Sequence, residues 1–183
     1  MKKIIALIVV CIMMFSFTGC EKKDDGNTLD VFYLNIDATA TVPEKYELKS
    51  SDESVDKQVD ELLDKLSSKP DDSKLRKTIP DDVEIRKHEE NAYSCTIDFS
   101  KSYYDMTAAE EVLMRASVVR TLTQLKQITY VMFTVDKAPL MNSDGEIIGS
   151  MNADDFVENP GEQINSSVKE TLTLFFADKE GTG

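Results

Sequence analysis

Five apolar positions between residues 55 and 66 recur with the period of a helix. Val55, Val59, Leu62, Leu63 and Leu66 form one stripe, Asp56, Asp60, Glu61 and Asp64 fill the opposite side, and Ser67-Ser68-Lys69-Pro70 stops the run. A second helical pattern opens at Thr107, where Glu110 three residues on completes a capping box. Ala109, Val112, Leu113, Ala116, Val119 and Leu122 trace its apolar face, widened by Val118 and Leu125. Between and around these helices the apolar residues alternate or cluster as strands do. Asp30 to Ile36, Val83 to His88, Ala92 to Phe99, Tyr130 to Val135 and Lys169 to Ala177 are the predicted strands. A loop containing Pro43 follows the first, Asp71 to Thr78 is a polar loop, and Glu89 to Asn91 turns between the second and third. Asn142-Ser143-Asp144-Gly145 is a turn between Leu140-Met141 and Ile147-Ile148. The β-α-β-β-α-β order, with a hairpin and a terminal strand after it, predicts an α+β fold in which two main helices cover one face of a mixed or antiparallel sheet.

Residues 1–28 follow a different pattern. Lys2 and Lys3 precede an unbroken apolar run, Ile4 to Phe15, which ends in Ser16-Phe17-Thr18-Gly19-Cys20. As a helix the run spans roughly 18 Å, short of the ~30 Å hydrocarbon core, which disfavours a transmembrane anchor. The Gly19-Cys20 pair resembles the bacterial lipobox, with Phe17 where leucine is usual, and this favours a lipoprotein over a plainly secreted chain. The resemblance implies a signal peptide over residues 1–19, cleavage after Gly19, and lipid attachment at Cys20. Residues 20–28 would then be a lipidated tether. Two acyl chains, at about 0.8 kcal/mol per buried methylene, hold a protein on a bilayer durably. The expected location is therefore the outer face of the cell membrane.

Composition narrows the partners. The 183 residues carry 34 acidic against 21 basic side chains, a net charge of −13, and no block of Lys or Arg. Binding to a phosphate backbone draws on clustered positive charge, so nucleic acid is excluded as a partner. Losing Lys2 and Lys3 with the signal makes the remainder more acidic still, which keeps the domain off anionic headgroups.

Candidate chemistry is sparse. Of three cysteines, Cys11 leaves with the signal and Cys20 is the acylation site, which leaves Cys95. Period-two spacing places Cys95 with Tyr93, Ile97 and Phe99 on one strand face, as a buried, inert thiol. A catalytic cysteine needs a base and an electropositive setting, and His88, the single histidine, is expected on the Glu84/Arg86 side of its strand, next to Glu89-Glu90. One histidine cannot build a His-rich zinc site, and the Asp pairs 71/72, 81/82 and 154/155 sit in loops or turns. With Gly145 as the sixth position of a calcium loop, Leu140 and Met151 would be the first and twelfth ligands, so residues 142–146 read as a hairpin turn. The serine-x-x-lysine matches at Ser54 and Ser166 lack the accompanying lysine-threonine-glycine element. No catalytic residue, metal or cofactor is assigned.

Three segments together resemble the GerMN (sporulation and spore germination) domain: Val31-Phe32-Tyr33-Leu34-Asn35 running to Val42-Pro43-Glu44, Arg120-Thr121-Leu122-Thr123-Gln124-Leu125, and Val131-Met132-Phe133-Thr134-Val135-Asp136. The resemblance covers roughly residues 29–160. The sequence departs from the family at Ala38 and Lys137, where glycine is usual. The resemblance implies a fold similar to ring-building-motif domains, a lipoprotein of endospore-forming bacteria, protein partners in the envelope and no enzyme activity. It favours a non-catalytic interaction or scaffold module. The alternatives are a peptidoglycan-binding accessory and, further off, a cell-wall hydrolase. Beyond Glu158-Asn159-Pro160-Gly161-Glu162, Thr173-Leu174-Phe175-Phe176 repeats the character of Val31-Phe32-Tyr33-Leu34 at an offset of 142 residues. Residues 161–183 are therefore expected to be a linker and the first strand of a second such domain, able to self-associate through a sheet edge; the alternative is a chance likeness, with Lys169 to Ala177 completing the single sheet.

Overall fold

A computed structural model describes residues 27–156. Of these, residues 27–153 group into one compact unit, and only residues 154–156 of the second unit are described. The expected signal, lipid site, linker and terminal strand lie outside the described residues.

In chain order the elements are β1 (Thr28–Asn35), β2 (Thr41–Glu47), α1 (Val55–Ser67), β3 (Leu75–Arg76), β4 (Ile85–Asn91), β5 (Ser94–Phe99), α2 (Ala108–Leu122), β6 (Tyr130–Val135) and β7 (Ala138–Pro139). The α+β class and both helices match the expectation. The single sheet does not: the strands form two, ordered β2-β1-β3 and β4-β5-β6-β7. The first is antiparallel throughout; in the second β5 and β6 run parallel, joined by a crossover that contains α2.

The two sheets stay separate because one edge of β1 is closed by side chains. The amide of Asn35 donates to the Ala40 carbonyl on the β2 side, so the alternation of an antiparallel ladder turns the amides of Asp30 and Phe32 the other way. There Gln124 accepts from the Asp30 amide at 2.8 Å and donates to the Asp30 carbonyl at 2.6 Å. Thr121 Oγ1 accepts from the Phe32 amide at 3.0 Å, and the Thr78 hydroxyl donates to the Phe32 carbonyl at 2.9 Å. A further strand has no free groups to join.

The same parity explains β2, which was expected as a loop because of Pro43. Pro43 stands opposite Phe32, a pair that exchanges no backbone hydrogen bonds, on a strand at the sheet edge. Its missing N–H therefore costs the ladder nothing.

Helix α1 buries Val59, Leu62, Leu63 and Leu66 as predicted and ends where Ser67 and Ser68 bond back to the Leu63 and Asp64 carbonyls. Its Glu61 carboxylate accepts from the Tyr46 hydroxyl and from the amides of Lys49 and Ser50. Burial on its own would raise its pKa, but these bonds outweigh that and bring it down to about 2. Helix α2 has the predicted capping box at Thr107 and Glu110, but its buried surface differs from the expected stripe. Ala109 and Val112 are exposed, whereas Met114, Ser117 and Thr121 join Ala116, Val118, Val119 and Leu122 in the core. A whole turn, residues 116–119, is buried because α2 touches β1, β2, β6 and α1 at once.

The two family departures both fall in left-handed backbone. Ala38 has φ 50°, and Asp136 and Lys137, the two-residue turn between β6 and β7, have φ 51° and 68°. A Cβ in that region costs energy that glycine avoids. Lys137→Gly keeps the hydrogen bond that the residue-137 amide donates to the Asp98 carboxylate, at 2.8 Å, and is expected to stabilise the domain by about 0.5–1 kcal/mol in denaturant unfolding. An unchanged or lower midpoint would show that the turn holds no such strain.

Candidate functional site

An open groove of about 850 Å³ lies beside the end of α1. The end of α1 (Ser67, Lys69, Pro70), β3 and the segment after it (Leu75 to Thr78, Pro80 to Asp82), and the approach to α2 (Met106, Glu110) form its walls. That segment is held in place because the amides of Thr78 and Ile79 both donate to the Leu66 carbonyl at 3.0 Å. Leu34, Leu75, Pro70, Pro80 and Met106 supply apolar surface, while Lys69, Arg76 and Lys77 supply positive and Asp81, Asp82 and Glu110 negative charge. Lys77 pairs with Asp81. Glu110 is committed to Thr107, whose backbone and hydroxyl hydrogen bonds hold its carboxyl below the ordinary value.

The groove's hydroxyls are committed too. Ser67 donates to the Leu63 carbonyl and Thr78 to that of Phe32. With no histidine or cysteine among its lining residues, the groove offers shape, apolar contact and charges of both signs, a surface suited to binding an extended segment.

A smaller hollow of about 420 Å³ lies over β4, β5 and β6, with Arg86, His88, Thr96, Asp98, Thr134 and Lys137 among its lining. Beside it Asp136 bridges Arg86, at 2.6 Å, and Lys101, at 3.2 Å. The hydrogen bond from Lys101, with the charges of both cations, keeps the Asp136 carboxyl below its ordinary range.

The structure moves His88 from its expected place. A register shift between Ile85 and Lys87 inserts one residue into β4, so His88 and Glu90 turn inward with Ile85 instead of siding with Glu84 and Arg86. Nε2 of His88 lies 2.7 Å from Asp60 of α1, and Nδ1 lies 2.7 Å from Glu90. Both nitrogens can donate only in the imidazolium form. Burial alone would lower the His88 pKa; the bonds to Asp60 and Glu90, and their charges, outweigh it and raise the value.

Cys95 is a free, fully buried thiol, as expected, and burial, with the charge of Glu90, pushes it up to about 12. Ile97 and Phe99 share its buried face, but Tyr93 is 69% exposed. Strand β4 runs on through Asn91, so the turn consists of Ala92 and Tyr93 and carries the tyrosine off the sheet. Asn142 Oδ1 accepts from the amides of Asp144 and Glu146, which makes residues 142–146 the expected turn. Gly19 and Cys20 lie outside the described residues. Among the described residues, no helix is long and apolar enough to cross a membrane.

The His88 clamp ties α1 to β4 and sets a pH dependence. With its folded pKa raised above the ordinary 6.5, the imidazole contributes full stability below that value and loses the contribution as pH rises through the raised one. The melting-temperature advantage of the parent over His88→Gln is therefore expected to be largest in mildly acid, chelator-treated buffer and to shrink toward alkaline pH. A constant gap across that range would mean that the ring is not cationic.

Three comparisons place this geometry among known proteins. The family model Germane, described as sporulation and spore germination, matches residues 30–141. The tandem GerMN domains of the sporulation protein GerM from Bacillus subtilis align with 17% identity and a TM-score of 0.55, over 70% of this chain and 47% of that one. The first GerMN domain of the same protein aligns with 19% identity and a TM-score of 0.53, over 70% of this chain and 99% of that one. At such identities the two structures establish the fold alone. No curated protein sequence matches. The family match covers more than half of the chain, including β1, β2, both helices and β4 to β7, and on that ground the protein belongs to the Germane family of GerMN-domain proteins, the family of sporulation and spore germination.

Proposed function

We propose that the protein is a non-catalytic interaction module, anchored by a lipid on Cys20 to the outer face of the cell membrane, that holds a protein partner during sporulation or germination. The observation that carries the reading is the chemistry of the 850 Å³ groove. Ser67, Thr78 and Glu110 are spent on backbone carbonyls and capping and Lys77 on Asp81, while Lys69, Arg76 and Asp82 leave charges of both signs beside an apolar strip. Such a surface favours an extended protein segment, which apolar contact and flanking charges of both signs can hold along its length, over a small polar substrate, whose turnover would need a histidine, cysteine or paired acid and base that the groove does not bring together. The Gly19-Cys20 pair supports the anchor, and the family supports the setting. A short tether from the lipid leaves an acidic domain standing clear of the headgroups, with its groove open to a neighbour.

Two variants in the native host test the two halves of this reading. Cys20→Ser is expected to leave an unprocessed precursor or release the chain into the medium, and Arg76→Glu in the groove wall to lower germination or spore yield while the protein stays folded and membrane-bound. Normal maturation and attachment of Cys20→Ser would contradict the anchor. Full germination and spore yield with Arg76→Glu, or sedimentation with purified cell wall that does not depend on the groove, would contradict the partner reading and favour peptidoglycan.

A further inference from the structure

His88, Glu90 and Cys95 converge on one point from adjacent strands. One donor atom of each, an imidazole nitrogen, a carboxylate oxygen and the thiol sulfur, lie within 4.8 Å of one another. The register accounts for this: Glu90 pairs with Cys95 across β4 and β5, and His88, paired with Ile97 two pairs along, is the next residue on the same face after the bulge. From α1, Asp60 reaches Nε2 of His88 at 2.7 Å, and Asp56 stands 4.0 Å from Nδ1. We propose that this cluster binds a thiophilic divalent cation of the zinc class, with Nδ1 of His88, a carboxylate oxygen of Glu90 and the sulfur of Cys95 as its protein ligands.

The donor set suits that ion. Imidazole, thiolate and carboxylate are the three ligand types zinc uses, and three protein ligands leave a fourth position for water or for Asp56. Bonds of about 2.0–2.3 Å in a tetrahedron place donor atoms about 3.3–3.7 Å apart. The present separations, from 2.7 Å between Nδ1 and Glu90 to at most 4.8 Å, therefore adjust by about 1 Å or less. Asp60 already occupies the outer position: by accepting from Nε2–H it fixes the tautomer that leaves Nδ1 free to bind a metal. Entry is from the helix side, where Asp56 and Asp60 are exposed above a largely covered imidazole.

The protons balance. Binding releases one from Nδ1 of the imidazolium and one from the Cys95 thiol to solvent, and a dication takes the place of two single charges, so the net charge of the cluster is unchanged. Without the ion, the buried thiol next to Glu90 resists ionisation; a cation at that spot reverses the local field.

Cobalt(II) is the probe, since its thiolate complexes absorb characteristically. Titrated into the full chain in detergent, one equivalent is expected to give tetrahedral d–d bands and a sulfur-to-cobalt charge-transfer band, release two protons, and be displaced by zinc. Cys95→Ser should abolish the charge-transfer band, Glu90→Gln should weaken binding at least tenfold, and Asp60→Asn should weaken it about ten- to a hundredfold. Cys11→Ser and Cys20→Ser should change nothing. The proposal is overturned if saturating cobalt gives no charge-transfer band, if the band survives Cys95→Ser, or if Cys20→Ser removes it. Should Cys95→Ser fail to fold, a folded Glu90→Gln protein that binds cobalt as tightly as the parent overturns it equally.

Discussion

The architecture depends on how the free edge of β1 is satisfied. A strand in the middle of a small domain exposes amides and carbonyls on both sides, and those left unpaired when buried cost about 1–3 kcal/mol each. Here β2 takes one side of β1, β3 takes only Leu34 and Asn35 on the other, and Thr121, Gln124 and Thr78 take the remainder. Side chains from a helix end thus do the work of a strand. The sheet stops at three strands, α2 is fixed against β1, and the remaining strands assemble separately around the parallel β5–β6 pair. The Arg120 guanidinium, 5.0 Å from the ring centre of Phe32 and bonded to Thr41, continues the same seam to β2.

The groove follows from that seam. Because β3 is two residues long, the chain after it is free to fold back over the end of α1, where Thr78 meets the Phe32 carbonyl with its hydroxyl and Leu66 with its amide. One threonine therefore fixes both the edge of β1 and a wall of the groove. The Glu61 carboxylate plays the matching part at the other end, docking α1 on the loop that leaves β2 through Tyr46, Lys49 and Ser50.

What could be read in the sequence was whatever local periodicity specifies. The α1 stripe, the Thr107–Glu110 capping box, the β6 strand and the buried face from Cys95 to Phe99 each depend on neighbours in the chain, and each is where the pattern placed it. The GerMN resemblance rested on the segments that build the seam, since Thr121 and Gln124 lie in one and Phe32 in another. Features set by long-range pairing were not legible. Pro43 reads as a loop residue until its partner Phe32 is known to bond elsewhere. After Ile85 no apolar residue of β4 records which way the strand faces, so the bulge that turns His88 and Glu90 inward leaves no trace in the pattern. Ala109 and Val112 fit the α2 stripe, but that stripe is an average over a helix whose first turns are exposed and whose later turns are enclosed.

Native-state amide exchange in Thr121→Val tests the seam most directly, because the substitution removes the acceptor of the Phe32 amide while nearly preserving side-chain volume. If helix side chains stand in for a strand, the Phe32 amide loses at least tenfold more protection than the Asn35 amide, which bonds to Ala40 on the β2 side. Equal protection factors for Phe32 in parent and variant would contradict the account.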